Sequence, residues 1–295
     1  HQDILPASVI TLGMFDGVHR GHQALLTHCR EHADQLHLPA VALTYEPHPS
    51  YILRPDQPVR LLTPLAEKLA LLAQWGMDYV VIPEFTQDFS RLLPEEFVHN
   101  VLLTALHPHT VVAGYRTTFG HMRAGTAAVL RELGETFDFT VDIVEPIEVD
   151  GGPVSSTRIR ESLADGNVHL AAELLGYRYQ LVGTVTQGDG RGHQIGVPTA
   201  NLAVPQEKLI PADGVYAVDA IVPGTTRRAV MNIGNRPTFN RPRSLEAHLL
   251  DFHADLYGQP MTVAFIDRLR DIHPFANIAS LIAQIHRDID QARAL

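Results

Sequence analysis

The sequence contains a single cysteine, Cys29, in 295 residues, so an internal disulfide is excluded. Its 17 histidines show no spacing with cysteine of the kind that binds zinc. No apolar run approaches the roughly 18 to 20 residues that a membrane-spanning helix needs, and no basic-then-apolar signal segment opens the chain. These absences predict a protein of a reducing, cytoplasmic setting with no membrane partner.

Basic residues are also scarce, and only two of them are lysines, Lys68 and Lys208. The 23 basic residues face 33 acidic ones, which gives a formal net charge of −10. Because an acidic surplus repels polyanions, nucleic acid is not expected as a partner. With so few lysines, phosphate chemistry must depend on arginine, on histidine, or on backbone amides with a metal.

What the sequence does contain, up to residue 176, is an alternation of short apolar runs with segments of helical periodicity. We predict strands at 9–13, 41–45, 79–82, 110–113 and 140–144, and helices at 22–36, 64–75 and 94–106. This alternation predicts an α/β domain over residues 1–176, built on a Rossmann-like parallel sheet that binds ligands at the carboxyl ends of its strands.

Beyond residue 176 the pattern changes to short β-type runs separated by glycine, proline, asparagine and aspartate. Strands are predicted at 180–187, 199–202, 215–222, 228–233, 244–250 and 261–268, followed by a helix at 276–294. Closely spaced short strands predict a small antiparallel β-barrel with a C-terminal helix over residues 177–295. A helix at 158–175 is expected to join the two domains.

Residues 13–22 lie where the first predicted strand passes into a helix. Their glycines let the backbone approach a ligand closely, and the amides at the helix start favour an anion. His19 and His22 are three positions apart, so both can face one phosphate and donate hydrogen bonds to a developing charge. The alternative is a pair of capping or surface histidines in a histidine-rich sequence.

A second phosphate-type segment lies at residues 154–160. Ser155, Ser156 and Thr157 suit the start of a helix, where hydroxyls and amides cap the helix and also bind phosphate. Arg160, one turn later, supplies a fixed positive charge that a cap alone does not require. Together the two segments indicate adenylyl transfer, in which the protein positions the groups and neutralises charge.

Residues 13–22 and 155–160, with 44–49 between them, resemble the adenylyltransferase half of the prokaryotic bifunctional riboflavin kinase/FMN adenylyltransferases, also called FAD synthetases. The resemblance implies a nucleotidyltransferase domain in which His19, His22 and Arg160 are catalytic. It also implies that ATP contacts Gly13, Phe15, Asp16, Gly17, Gly21, Ser155, Ser156 and Thr157, and that the flavin lies near Tyr45, Pro47 and His48.

One segment departs from that family. Where its members usually have Gly-x-Asp/Asn-Phe-x-Phe-Gly, this chain has Arg116 and Thr117 in place of the acidic or amide residue and the first phenylalanine. A cation replaces a hydrogen-bond acceptor, and an apolar ring is missing. Two interpretations stay open: a tolerated variant whose Arg116 meets a phosphate, or an altered adenylyltransferase.

The predicted barrel begins with five glycines between residues 183 and 196. Such a loop can wrap phosphates with backbone amides, although it lacks the Gly-Lys-Ser/Thr of a Walker P-loop, and a turn-rich hairpin is the alternative. Thr199 and Asn201 follow, two positions apart and thus on one face of a strand. Their oxygens suit a Mg²⁺ ion that bridges ATP phosphates.

On the strand predicted at 244–250, Glu246 alternates with the apolar Leu245 and Ala247. A carboxylate there can accept a proton from a substrate hydroxyl, whereas an isolated strand glutamate is usually just solvated. The order of the motifs from residue 180 to 295 resembles riboflavin kinases throughout. The resemblance implies that Glu246 is the base for the ribityl 5′-hydroxyl and that Thr199 and Asn201 hold Mg²⁺ and the nucleotide.

The same resemblance implies further contacts with both substrates of the kinase. ATP would meet Gly188, Arg191, Gly192, Gly196 and Pro198, and the flavin would lie near the C-terminal helix with Arg236 and Arg270. Phosphoryl transfer of this kind depends mainly on positioning and charge neutralisation.

The sequence therefore predicts a flavoprotein enzyme that phosphorylates riboflavin to FMN in its C-terminal half and adenylylates FMN to FAD in its N-terminal half. Its substrates are ATP, riboflavin and FMN, and a homo-oligomer is left open. The alternative is a kinase with an altered N-terminal half. A flavin-sensing or RNA-binding regulator is disfavoured by the negative charge and by the absence of an aromatic stacking stripe. Class I aminoacyl-tRNA synthetases are disfavoured because their second signature needs closely spaced lysines.

Overall fold

The computed structural model describes residues 7–188, 196–234 and 243–295. By packing, the chain forms two compact units, His1–Ser156 and Thr157–Leu295. Each unit has its own sheet and its own core, so the two are described separately.

The first unit is built on a five-stranded parallel sheet, as predicted. Its strands are β1 Ser8–Leu12, β2 Ala40–Leu43, β3 Tyr79–Val81, β4 Pro108–Gly114 and β5 Thr140–Val144. They lie in the order β3-β2-β1-β4-β5, and every neighbouring pair is parallel. The order reverses between β1 and β4, and in such sheets the crevice at this reversal is where ligands bind.

Helices cover both faces of this sheet. They are α1 Arg20–Leu36, α2 Pro49–Leu53, α3 Leu65–Gln74, α4 Pro94–Phe97, α5 Thr104–Leu106 and α6 Ala127–Phe137. A π-helical stretch, Val98–Leu103, joins α4 to α5, so the helix predicted at 94–106 is one continuous helical segment. Short 3₁₀ turns occur at Phe89–Arg91 and His121–Arg123, and the two-residue strands β6 Glu148–Val149 and β7 Gly152–Pro153 form a small hairpin.

The sheet separates two apolar cores because successive side chains of a strand point to opposite faces. In β1, Val9 belongs to the core that contains Leu26 and Cys29 of α1, whereas Ile10 belongs to the core with Phe97. Cys29 is fully buried, and burial raises the pKa of its thiol to about 12. Both faces of the sheet are therefore covered, as a parallel sheet requires.

The second unit is a closed antiparallel barrel, again as predicted. Its strands are β8 Gln180–Thr186, β9 Ala200–Ala203, β10 Gly214–Val222, β11 Thr225–Gly234, β12 Ser244–Leu249 and β13 Pro260–Arg270. They follow one another around the barrel as β10-β11-β12-β9-β8-β13, and the pairing of β13 with β10 closes it. The C-terminal helix, Ile278–Ala294, packs against β10, β11 and β13.

Two helices precede the barrel: α7 Ser156–Ala164, which begins at the division between the units, and α8 Val168–Leu175. The amide of Ala212 donates to the carbonyl of Leu163 at 2.9 Å, and α8 packs against β13. These contacts attach both helices to the barrel. The compact units therefore divide at 156/157, whereas the change of sequence pattern suggested a boundary at 176/177.

Candidate active sites

The loop that follows β1 has an unusual backbone. Phe15, Gly17 and Val18 have φ angles of 49°, 86° and 35°, all in the left-handed region. A β-branched residue there is rare and costs on the order of 1–3 kcal/mol, a strain that occurs most often at functional sites. The ring of Phe15 is fully buried and lies over Gly13, where an added Cβ would be 3.4 Å from it.

Asp16 holds this loop in place. Its carboxylate, which is 2% exposed, accepts hydrogen bonds from the amides of Leu62 and Thr63 at 3.2 and 2.9 Å. The amide of Gly17 donates to the hydroxyl of Thr63 at 2.8 Å. The predicted ATP-binding residues Asp16 and Gly17 therefore tie the loop to the segment before α3.

His19 and His22 form a stacked pair at the start of α1. Their ring centroids are 3.7 Å apart with an interplanar angle of 12°. Nδ1 of His19, the N-cap residue, accepts from the amide of His22 at 3.3 Å, so the neutral His19 ring carries its hydrogen on Nε2. An added Cβ on Gly21 would lie 3.3 Å from the His19 ring, which explains the small residue between the histidines.

His22 is uncharged near neutral pH. Burial lowers the pKa of His22 well below its usual 6.5, and the nearby His19 and Lys68 lower it further. The Nδ1 atom of His22 is buried and has no hydrogen-bond partner within the described residues. Neutral imidazoles act as hydrogen-bonding groups rather than as fixed charges.

The structure brings the start of the second predicted segment to this loop. The hydroxyl of Ser156 donates to the carbonyl of Asp16 at 2.8 Å, although 140 positions separate the two residues. The carbonyl of Val154 lies 4.0 Å from the position of a Cβ on Gly21. Ser155 is thus beside the start of α1, while Thr157 and Arg160 follow in α7 within the second unit.

The departing segment 114–120 follows β4, on the other side of the strand-order reversal. The amide of Thr117 donates to the carbonyl of Gly114 at 2.8 Å, which makes a tight turn. Tyr115 and Arg116 are exposed, whereas Phe119 is buried in the core with Phe97. The retained phenylalanine thus has a packing role, and the substituted Arg116 projects into solvent.

The predicted flavin segment follows β2. Tyr45 meets Phe85 and Phe89 edge to face, with centroids 5.9 and 5.5 Å apart, and burial raises the pKa of its hydroxyl. His48 caps α2 by accepting from the amide of Ser50 at 3.1 Å, and the Glu46–Pro47 peptide is cis. Sequence reasoning missed Phe85 and Phe89, whose only sequence signal is aromatic residues after the third strand.

Lys68 is a further residue that sequence reasoning missed as part of the site. It lies on α3, is 4% exposed, and its Nζ donates to the hydroxyl of Thr44 at 3.3 Å. Thr44 in turn donates to the carbonyl of Met14 at 3.1 Å. Burial lowers the pKa of Lys68, and the carboxylates of Asp16 and Glu46 partly offset this effect.

In the barrel, strand register places polar residues side by side. Glu246 on β12 lies directly opposite Asn201 on β9 and opposite Asn232 on β11. Leu245 and Ala247 are buried, so the partly exposed Glu246 is on the outer face of its strand, as its alternation predicted. The hydroxyl of Ser244 donates to Oε1 of Glu246 at 2.6 Å, which orients the carboxylate.

The segment before β9 completes this arrangement. An added Cβ on Gly188 would lie 2.1 Å from Nδ2 of Asn201, so the backbone at 188 directly covers that carboxamide. Nδ1 of His248 donates to the carbonyl of Pro198 at 2.7 Å and holds the strand entry at Thr199. Gly196 has a φ of 76°, which favours glycine. The predicted Arg191, Gly192 and Arg236 lie outside the described residues.

Arg270, predicted to bind flavin, is engaged in a buried ion pair. Its Nη2 and Nε donate to Asp288 on the C-terminal helix at 2.8 and 3.0 Å, and Asp288 is 3% exposed. Nη1 donates to the carbonyl of Asp271. Arg270 thus fastens the C-terminal helix to β13, beside Phe275, whose ring centroid is 5.7 Å from its guanidinium.

The donors around Asn201 fit a magnesium ion. A hydroxyl, a carboxamide and a carboxylate all present oxygen, the ligand that Mg²⁺ prefers, and Mg²⁺ usually takes few protein ligands alongside phosphates and water. Within the described ranges, no group of three or more histidine, cysteine, aspartate or glutamate residues could hold a metal ion.

Comparison with known proteins matches both units. A family model described as FAD synthetase matches residues 1–158, and one described as riboflavin kinase matches residues 175–295. The chain is 39% identical to the bifunctional riboflavin kinase/FMN adenylyltransferase of Listeria monocytogenes, over 97% of this chain and 91% of that protein. The enzyme of the same description from Escherichia coli is 38% identical, with the same coverage of both chains.

A solved structure has the same fold. A crystal structure described as a macrolide-efflux protein from Streptococcus pneumoniae matches with a TM-score of 0.90 at 34% identity, over 98% of this chain and 95% of that one. Among the described residues, no helix is both long and apolar enough to cross a lipid bilayer.

The two matches favour the bifunctional interpretation over a kinase with an altered N-terminal half. The chain belongs to the bifunctional riboflavin kinase/FMN adenylyltransferase family: it converts riboflavin to FMN with ATP and adenylylates FMN to FAD.

Proposed function

We propose that the first unit transfers the adenylyl group at the loop of residues 13–22. An oxygen of the FMN phosphate attacks the α-phosphorus of ATP, and the bond to the leaving pyrophosphate breaks. His19 and His22 donate hydrogen bonds to the phosphates in this step. The observation that supports this role is the stacked histidine pair at the positive end of α1, in which burial keeps His22 neutral.

The remaining residues of this site are assigned by the same proposal. Backbone groups of Gly13, Phe15, Gly17 and Gly21, together with the segment Ser155–Ser156–Thr157, bind ATP, and Asp16 keeps the loop in position. Arg160 supplies positive charge to the phosphates. Tyr45, Pro47 and His48 contact the flavin, whose ring suits the aromatic group of Tyr45, Phe85 and Phe89.

We propose that the barrel transfers the γ-phosphoryl group of ATP to riboflavin. Glu246 takes the proton from the ribityl 5′-hydroxyl, the freed oxygen attacks the γ-phosphorus, and ADP leaves. Thr199 and Asn201 would hold Mg²⁺, which neutralises phosphate charge when bound. The supporting observation is the register that sets Glu246 directly opposite Asn201. Gly188, Arg191, Gly192, Gly196 and Pro198 bind ATP, and Arg236 and Arg270 are assigned to the flavin.

The setting proposed for this enzyme is the cytoplasm, with ATP, riboflavin and FMN as its partners and without nucleic acid or membrane. The single, buried cysteine and the net charge of −10 support this proposal.

The test of both sites is product chromatography after two parallel incubations with Mg-ATP, one given riboflavin and one given FMN. The expected result is FMN from the first and FAD from both. Formation of FMN without FAD in either incubation would contradict the proposed adenylyl-transfer site. Arg116 and Thr117 would then be the first residues to replace with those of the family pattern.

Replacement of Glu246 by alanine is expected to abolish FMN formation, because among the described residues it is the one carboxylate that strand register places opposite Asn201. The barrel should stay folded, since the side chain is on the outer face of β12. FAD formation from supplied FMN in the same variant is the control. Near wild-type FMN production would remove Glu246 from the role of base.

Joint replacement of His19 and His22 by alanine is expected to stop FAD formation from supplied FMN while sparing the kinase. Both rings are hydrogen-bonding groups, so their loss removes the proposed contacts with the phosphates. Chromatography of both products measures the split. An equal loss of the two activities would indicate unfolding or coupled units instead.

A further inference from the structure

Lys68 is buried although it carries a charge. It is one of only two lysines in the sequence, and its side chain is enclosed between α3 and the carboxyl end of β2. Buried lysines are rare unless a partner compensates the ammonium group. What compensates the buried charge of Lys68 is therefore the point to explain.

The surroundings of Lys68 compensate its positive charge poorly. Within the described residues its ammonium group makes one hydrogen bond, to the neutral hydroxyl of Thr44, and no ion pair. Asp16, the carboxylate with the larger effect on the pKa of Lys68, already accepts from the amides of Leu62 and Thr63. An ammonium group with three donors and one neutral acceptor is suited to an anion that arrives with the substrate.

Lys68 is connected by hydrogen bonds to the loop of residues 13–22. Thr44 links Lys68 to the carbonyl of Met14, within the loop of residues 13–22. The charge of Lys68 also acts on His22, whose protonated form it disfavours. One buried cation is thus coupled both to the loop backbone and to His22.

We propose that Lys68 is an electrostatic positioning residue of the adenylyl-transfer site, which holds the loop through Thr44 and attracts the ATP triphosphate to it. This inference rests on the proposed role of residues 13–22. Lys68 then has the role that a lysine often has in phosphate sites, although neither phosphate-type segment, 13–22 or 154–160, contains a lysine.

The sign of the effect on His22 can be stated. Lys68 lowers the pKa of His22, as do burial and His19, while Asp16 and Glu46 face the lysine itself. Removal of the lysine charge therefore raises the pKa of His22 toward its usual value. If neutral His22 is the active form, the acidic limb of the pH profile then moves to higher pH.

The test uses the full chain with Lys68→Met, which keeps the length and apolar stem of the side chain. For FAD formation from FMN, the KM for ATP is expected to rise about tenfold, the effect of losing a charge-assisted phosphate interaction. The acidic midpoint of kcat/KM should rise by about half a pH unit. The thermal midpoint should be unchanged or higher, because no charge is then buried.

Two controls are built into the chain. Riboflavin phosphorylation by the same variant should be unchanged, because Lys68 lies in the other unit. Lys208→Met removes the only other lysine, which is also buried, at 2% exposure, and should leave FAD formation from FMN unaltered. A similar loss of FAD formation in both lysine variants would overturn the proposal.

An unchanged KM and pH midpoint in Lys68→Met would also overturn the proposal. If that variant does not fold, Thr44→Val tests the link to Met14 with the lysine retained. It should raise the KM for ATP in the same direction, and an unaltered KM would count against the proposal. His22→Ala, measured in parallel, distinguishes failure of the Lys68 proposal from failure of the proposed function of residues 13–22. Full FAD formation by the His22→Ala variant would contradict that proposed function.

Discussion

At the residue scale, two glycines are required by what lies beside them rather than by their own flexibility. Gly21 gives room to the ring of His19, and Gly188 gives room to the carboxamide of Asn201. In each case the missing Cβ lets the backbone approach a side chain assigned to phosphate or metal. Gly21 and Gly188 are thus positions of close approach, which composition alone did not distinguish from ordinary turns.

Replacement of Gly188 by alanine is expected to lower riboflavin phosphorylation by roughly 10- to 100-fold, as is typical when a supporting residue displaces a metal ligand. The new Cβ would lie 2.1 Å from Nδ2 of Asn201, so the carboxamide must move. Initial rates of FMN formation at several Mg²⁺ concentrations measure the effect. FAD formation from supplied FMN should be unchanged.

The matched control is Gly224→Ala, in the turn between β10 and β11. Gly224 has a φ of 82°, and a Cβ there would meet nothing within 4 Å. This variant should lose stability by about 1 kcal/mol from backbone strain and keep its kinase activity. Equal kinase losses in both glycine variants would show that strain, not displacement of Asn201, is responsible.

At the element scale, the C-terminal helix is held to the barrel by charge as well as by apolar packing. Arg270 at the end of β13 binds Asp288 with two donors, and Gln284 adds a hydrogen bond to the same carboxylate at 2.8 Å. The helix predicted at 276–294 is confirmed as Ile278–Ala294, but its inward-facing Asp288 was not expected from its apolar spacing.

Replacement of Asp288 by alanine is expected to destabilise the second unit by about 3 kcal/mol, because it leaves the Arg270 guanidinium buried without its partner. Denaturant unfolding, followed by circular dichroism, measures the change. The double variant Arg270→Met with Asp288→Leu should regain most of the stability, since an apolar pair avoids the cost of a lone charge. If the single and double variants are equally unstable, the ion pair is not what holds the helix.

At the scale of the whole molecule, packing assigns α7 and α8 to the barrel. Val168, Ala171, Leu174 and Leu175 of α8 are almost completely buried, and a Cβ on Gly166 would lie 2.7 Å from Nε of Arg268. The change of sequence pattern after residue 176 marks where the helices end and the strands of the barrel begin. It does not mark where one packed unit ends.

A fragment of residues 157–295 is therefore expected to fold and to phosphorylate riboflavin, whereas 177–295 should be much less stable because it exposes the surface that α8 covers. Thermal unfolding and FMN formation by the two fragments measure the difference. Equal stability of both fragments would support the boundary at 176/177 instead.

Several features of the fold were predictable because they are local. Alternating apolar runs and helical periodicity predicted the five parallel strands, the six barrel strands and the C-terminal helix. The helix α6 was missed, although Thr126 caps it by accepting from the amide of Val129. Its apolar residues recur at helical spacing and pack on the core, so the sequence did carry a signal for this helix: Val129, Leu130, Leu133 and Phe137.

The sequence by itself determined the two enzymatic halves and their principal motifs, since the spacing of His19 and His22 and the alternation around Glu246 are properties of a short stretch of chain. Only the tertiary structure decided which distant residues meet. The bond from Ser156 to the loop, the pairing of Glu246 with Asn201 and the burial of Lys68 depend on strand order and register, which join residues far apart in sequence. Burial also decided that His22 is neutral, because removal from water, not sequence spacing, lowers its pKa.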